Sequence, residues 1–361
     1  MVDLGLKYIS IYSYLLPREC MPEVRSEVRV LQKIGSSLAL YLPKDWCERN
    51  KLSKGSNVTL RYTDNFLCID LGGMSKVEST DIVLNITSMP EDVLKYLILS
   101  FYIAGYDRVK LVSHKRINLP LRRQLLSILR YALKYNVIEE GENFLVIGKV
   151  GEAENMLEAL KREFNTVITV FKYTMEALEN TKLLDKYYEA VNELDDEVDR
   201  AQVEVERAAF KLIQEPFANV LLLRYVIPAT IMSLSLERLS DHLVLLVKEV
   251  ANGYKNMGEL LDYLQKFSKN LQELHDILND IITGKYDPIN IVQTLSKLIR
   301  IVEIKRTVRE DLSRTLNEPG FELVTYHIIR VYAIIADIAE ALINTLAMIF
   351  NEVRSKSSIS T

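Results

Sequence analysis

Residues 235–247 read SLERLSDHLVLLV, an apolar run that nonetheless carries Glu237, Asp241 and His242. Glu237 and Asp241 are four apart and share one helix face, where like charges repel and something must compensate. Upstream, NELDDEVDR at 192–200 offers Asp195, Asp196 and Asp199, with Asp195 and Asp199 again four apart. Two antiparallel helices that each present a carboxylate pair make a four-oxygen cluster, which is how helical bundles build carboxylate metal sites. His242 could add a nitrogen, but one residue beyond Asp241 it points about 100° away. The plainer alternative is a solvated acidic face at 195–199, with Glu237 paired to Lys or Arg from other helices.

A second stretch gives the contrast. EPFANVLLLRYVIPATIMSLSLERLSDHLVLLVKEV at 215–250 resembles EPGFELVTYHIIRVYAIIADIAEALINTLAMI at 318–349, both opening on Glu-Pro. Asp241 and Asp337 fall at nearly the same distance from those openings. The preceding helices also correspond, and there Asp195, Asp196 and Asp199 are replaced by Lys305, Arg306 and Arg309. Ala333 stands in place of Glu237. The second copy should therefore bind no cation. A basic cluster beside one acid reads as a salt-bridged core edge, or as an anion site.

The elements that position these groups are helices. From residue 152 the apolar spacing is helical almost without interruption, over about 152–184, 187–214, 216–252, 257–283, 288–316 and 319–352. Glycines and prolines such as Pro216, Gly253, Gly284, Pro288 and Gly320 separate them. Each run far exceeds the usual three turns. Long amphipathic helices with short connections predict an antiparallel bundle, here two tandem three-helix units at 152–253 and 257–352.

The front of the chain is different. Residues 26–72 hold short strand-like runs (EVRVLQKIG, LALYLPKDW, NVTLRYT, FLCIDL), parted by turn residues such as Gly35-Ser36-Ser37 and Lys54-Gly55-Ser56. Pro43 sits at the first position of one short helix. Residues 79–150 mix both types and read as an α+β connector. Residues 1–25 read as a disordered leader or as an over-extended start, with Met21 as the alternative first residue.

Composition closes off several classes. With 361 residues, 48% hydrophobic and 26% charged, the chain is neither disordered nor membranous, and its net charge of −4 makes no general nucleic-acid magnet. Cys20, Cys47 and Cys68 are odd in number and widely spaced, which suits a reducing cytoplasm. No run reaches the roughly 18–20 apolar residues needed to span a bilayer. No Walker loop, GxSxG or HExxH occurs, and the acids lack the Glu-x-x-His pairs of ferritin-like centres, so no enzyme is expected.

With ERLSDHL at 237–243 and DDEVD at 195–199, the region 152–352 resembles the PhoU family. That resemblance implies two three-helix repeats and, in the first of them, a site for a divalent or ferric ion (iron, zinc or magnesium). Its ligands would be Asp195, Asp199, Glu237 and Asp241, with Asp196 behind them. VRVLQKIGSSLALYLPKDWCERNKLSKGSNVTL at 28–60 resembles the AbrB/SpoVT swapped-hairpin DNA-binding domain. This implies an intertwined homodimer whose DNA face includes Arg29, Lys33, Ser36, Ser37, Lys44, Arg49 and Arg61. Ser36-Ser37 departs from the pattern, since an arginine often follows the glycine, and serine supplies no counterion release.

The order of the two resembles archaeal phosphate-uptake regulators. The expectation is a multidomain cytoplasmic protein: a small β swapped-hairpin head, an α+β connector, then an all-α antiparallel bundle of two repeats. It would bind DNA and regulate phosphate uptake. The competing expectation is an adaptor that docks on a phosphate ABC transporter or a sensor kinase, with a head that only dimerises. Neither involves membrane insertion.

Overall fold

Helical spacing of apolar residues dominates the chain, and helices dominate the structure. The computed structural model describes residues 27–62, 67–71, 81–151, 154–214, 220–285, 288–316 and 319–358. The expected leader at 1–25 lies outside them. The chain divides into two units, Met1–Gly72 and Gly73–Thr361.

In the first unit, β1 (Gln32–Ile34) and β2 (Ser37–Ala39) form an antiparallel hairpin, with Ile34 opposite Ser37. Gly35 takes the tight turn at φ +61°, as the first central position of a type II′ hairpin turn requires. α1 (Lys44–Arg49) follows Pro43. β3 (Thr59–Tyr62) then pairs antiparallel with β4 (Leu67–Asp70). None of the described side chains in 27–71 is buried. Val28, Val30, Leu38 and Tyr62 are 99, 81, 67 and 78% exposed, so the described strands carry apolar side chains that form no interior among the described residues.

The second unit opens with a sheet. β5 (Asp81–Asn85) runs parallel to β6 (Arg108–Val112) through a crossover helix, α2 (Glu91–Ile103). α3 (Leu119–Ile128) starts on an N-cap, Asn118, whose Oδ1 accepts the Leu121 amide at 3.0 Å. β7 (Tyr135–Glu140) and β8 (Phe144–Lys149) form a hairpin inserted so that the sheet order is β5-β6-β8-β7. Its core includes Ile98, Tyr102, Val109, Leu125 and Ile147. Val203, a residue of the following helical region, completes it.

The helices are α4 (Met156–Glu179), α5 (Leu184–Gln214), α6 (Val220–Val250), α7 (Met257–Thr283), α8 (Pro288–Glu303), α9 (Lys305–Thr315) and α10 (Glu322–Ser358). A short 3-10 turn, Thr181–Leu183, joins α4 to α5. α4, α5 and α6 pack on one another, α10 packs on α8 and α9, and α10 lies along α6. One continuous core results, with Phe164, Val198, Leu239, Leu271, Leu298 and Ile335 among its members. This helical body fits a PhoU-like bundle.

Two sequence expectations need correction. The run 288–316 is two helices, broken at Ile304. The hydroxyl of Tyr332, on α10, donates to the Ile301 carbonyl at 2.9 Å. A side chain entering the carbonyl ladder in this way breaks a helix that no glycine or proline interrupts. Second, Glu322–Phe350 is long and apolar enough to cross a bilayer, and half of its most apolar stretch is buried within the bundle.

Candidate functional site

The acids converge where α5 meets α6. Burial raises Asp195 to about 6, and the charges of Asp241, Asp199 and Asp196 add to it, while nearby Ser240 acts in the opposite sense. Glu237 is raised to about 7, first by burial and then by Asp241, Asp199 and Asp195. Asp199 is raised by burial and by Asp241 and Asp196, and Asp241 by burial alone. The charge of Asp241 thus disfavours ionisation of Asp195, Asp199 and Glu237 alike, and Asp199 acts on Asp195 and Glu237 in the same sense. Asp195 Oδ1 and Ser240 Oγ are buried without a hydrogen-bond partner.

An all-carboxylate set offers hard oxygen ligands. The unpartnered Asp195 oxygen and the mutual repulsion both fit a cation in charge and donor type. In this arrangement, however, no three His, Cys, Asp or Glu side chains among the described residues are grouped to hold a metal ion. Side-chain rotation would have to bring them together.

Asp196 turns the other way. Its Oδ1 accepts the Tyr131 hydroxyl at 3.3 Å. With Lys95, Ser127, Arg130, Tyr131 and Arg200 it lines a cavity of about 670 Å³ between the sheet region and α5. Lys95 Nζ also lies 5.6 Å from the centre of the Tyr131 ring. The connector thus flanks the acidic helix.

Further along α5, Tyr102 donates its hydroxyl to Glu204 and accepts the Lys134 amide at 3.0 Å. Arg207 donates to the Tyr102 carbonyl, with its guanidinium 4.3 Å from the centre of that ring. Gln214 Nε2 donates to the Ala104 carbonyl at 2.9 Å.

Beneath the acids lies Glu163 of α4, fully buried. Ser233 of α6 donates to its Oε2 at 2.5 Å, and its Oε1 has no partner. Burial drives its pKa well above the carboxylate range, opposed by Ser233 and assisted by Glu237.

His242 points away from the acids, as its position one residue past Asp241 requires. Its Nδ1 lies 3.0 Å from Nδ1 of His327 on α10, so one ring donates and the other accepts. Burial, then His327 and Arg330, lower His242 to about 4. In the second half, Lys305 Nζ contacts Asp337 Oδ1 at 2.7 Å, so this basic cluster does include a salt bridge.

In the head, Arg29 pairs with Glu27, Lys44 with Glu48 at 3.6 Å, and Arg49 Nε donates to the Asp45 carbonyl at 3.2 Å. Lys33 lies on β1 opposite Leu38, Ser36 and Ser37 at the hairpin turn, and Arg61 on β3 opposite Cys68. Cys47 and Cys68 are free thiols.

Sequence reasoning missed Lys95, Tyr131 and Arg200 around Asp196, and Glu163 beneath Glu237. Nothing local marks them, because their roles come from contacts across the fold. Ser240, inside ERLSDHL beside Asp241, was the one with a signal.

Residues 160–250 match the PhoU domain family, a span that takes in most of α4 and all of α5 and α6. No curated protein matches the chain. No solved structure matches it either.

Proposed function

We propose that the chain is a cytoplasmic regulator of phosphate homeostasis that binds DNA as a homodimer through its first unit. The PhoU match at 160–250 supports the process. The observation that carries the dimeric head is the absence of any buried side chain among those described in 27–71, although its strands are apolar. Apolar strand faces of this extent need a cover, and a second copy with the same faces supplies it. Pairing two heads also doubles the cationic face of Arg29, Lys33, Lys44, Arg49 and Arg61, in a segment where one copy sets seven Lys and Arg against five acids over 26–72.

In this reading Asp195, Asp199, Glu237 and Asp241 hold a divalent or ferric cation, with Asp196 at its margin. Iron, zinc and magnesium all accept oxygen ligands. The ion would neutralise the shared charge and lock α5 to α6.

The deciding experiment is a salt titration of binding to DNA from upstream of phosphate-transport genes, against random duplex. Arg29→Ala plus Lys33→Ala removes up to four cations per dimer, which should flatten the logarithmic salt slope by as much as about 3–4. A weak response, equal for both DNAs and unchanged by the substitutions, would sink the DNA reading.

One observation favours the adaptor reading instead. Leu223, Ile227 and Ile231 form an exposed stripe on α6 at intervals of four residues, with Ile227 69% exposed. A helix face of this kind suits docking on a phosphate transporter or a sensor kinase. Ile227→Asp plus Ile231→Asp would abolish such docking and leave DNA binding intact.

A further inference from the structure

We propose that the cavity between the α8–α9 break and α10 is a binding site for a phosphate group. The cavity holds about 630 Å³ and is lined by Lys305, Arg309 and Arg330, with Glu303 the one acid. Lys305 is engaged with Asp337 at 2.7 Å. Arg309 and Arg330 have no ion-pair partner among the described residues. Arg309 is exposed and Arg330 half-buried. Arg309 and Arg330 both line this one cavity, so a single anion there can pair with both. Their planar forks match the oxygens of phosphate, whose charge near −2 balances two arginines.

The sequence explains why the cavity is both open and basic. Arg309 takes the place of Asp199, and Ala333 the place of Glu237. The first change reverses the charge. The second removes a carboxylate that would otherwise compete for the arginines, and Ala333 itself lines the space. The hydroxyls of Ser313 and Tyr326 also line it and can donate to phosphate oxygens. Val308, Leu312 and Ile329 supply an apolar wall. The volume leaves room for an organic body beyond the phosphate itself.

The same chemistry could come from free phosphate or from a phosphomonoester. The inference deepens the phosphate-homeostasis reading by naming what the body binds. It is independent of the head, so loss of DNA binding and loss of phosphate binding are separate failures.

The test is calorimetric titration of the full-length chain at constant ionic strength with inorganic phosphate, adenosine 5′-monophosphate and adenosine. We expect one saturable site per chain, weakened at least tenfold in R309Q and in R330Q and unchanged in K266Q on α7. Arg309 is exposed, so R309Q should melt with the wild type and report binding alone. Inorganic phosphate binding as tightly as the monophosphate identifies free phosphate. A monophosphate at least tenfold tighter, with adenosine inert, identifies a phosphomonoester. The proposal is overturned if neither phosphate saturates at concentrations up to about 10 mM, if adenosine binds like its monophosphate, or if both arginine variants bind like wild type.

Discussion

Lys305 Nζ lies 2.7 Å from Asp337 Oδ1, tying α9 to α10. The sequence sets these two positions against Asp195 and Asp241. Between α5 and α6 that second pair repels, and the charge of Asp241 helps to hold Asp195 at about 6. The corresponding contact therefore attracts in one half of the bundle and repels in the other.

Opposite substitution effects follow. D337N should lose about 0.5 kcal/mol, since the pair is roughly two-fifths exposed and solvent screens it. D195N should gain about 1 kcal/mol in the presence of chelator, by deleting a half-buried charge that its neighbours oppose. Excess magnesium, zinc or ferrous ion should reverse the D195N result, because the ion stabilises only a site that binds it, by about 2.7 kcal/mol at a hundredfold excess over Kd. Urea melts at pH 7.5 decide it. Equal signs for the two variants without metal would refute the contrast.

Stability should also depend on pH from two opposed sources. Glu163 has a folded pKa raised above its unfolded value near 4.5, chiefly by burial. Its contribution is full below that value and is lost as pH rises through the folded one. His242 is lowered from 6.5 to about 4, so its contribution is full above pH 6.5 and fades as pH falls. E163Q should flatten the alkaline limb, gaining about 1–2 kcal/mol at pH 8 and little at pH 4. H242Q should flatten the acid limb. Denaturation midpoints across pH 4–9 read both, and an E163Q profile parallel to wild type would count against the assignment.

The sheet region should come loose from the bundle when its buried anchor is cut. Arg207 is 2% exposed and donates to the Tyr102 carbonyl. R207M should cost about 2–3 kcal/mol by removing that charged donor and the cation 4.3 Å from the Tyr102 ring centre. Y102F should cost about 1–3 kcal/mol, because the Tyr102 hydroxyl serves both Glu204 and the Lys134 amide. Hydrogen exchange should then rise in β6 and β8 before it rises in α4. Uniform loss of protection would argue against a local anchor.

The head should be sensitive to charge on its apolar faces. Ile34 and Leu60 are 59 and 53% exposed in one copy. I34D or L60D should convert a dimer into a monomer in sedimentation, with the helical content intact. A wild-type chain that sediments as a monomer at micromolar concentration would exclude the proposed cover.

The helices were legible in the sequence because burial on one face imposes a 3.6-residue rhythm that composition cannot hide. The acidic pairs were legible for the same reason, since i and i+4 share a face. The break at Ile304 was not legible, because its cause is Tyr332, about thirty residues away in sequence. Nor was the role of the connector. Tyr131 meets Asp196, and Tyr102 meets Glu204, across separations that no local pattern encodes. In the head the strand runs could be read, but the exposure of their described side chains could not, because alternation shows which face is apolar and not what covers it.

α5 is held to the sheet region at Asp196, Arg207 and Gln214. Eighteen residues separate the first anchor from the last, about 27 Å at 1.5 Å per residue. A rod fastened at three points from its middle to its far end resists both spinning and sliding beneath its mount. Any shift of α5 against α6, such as gain or loss of charge between the acids would produce, must carry the whole sheet as cargo, turning a sub-ångström adjustment among carboxylates into the swing of a domain.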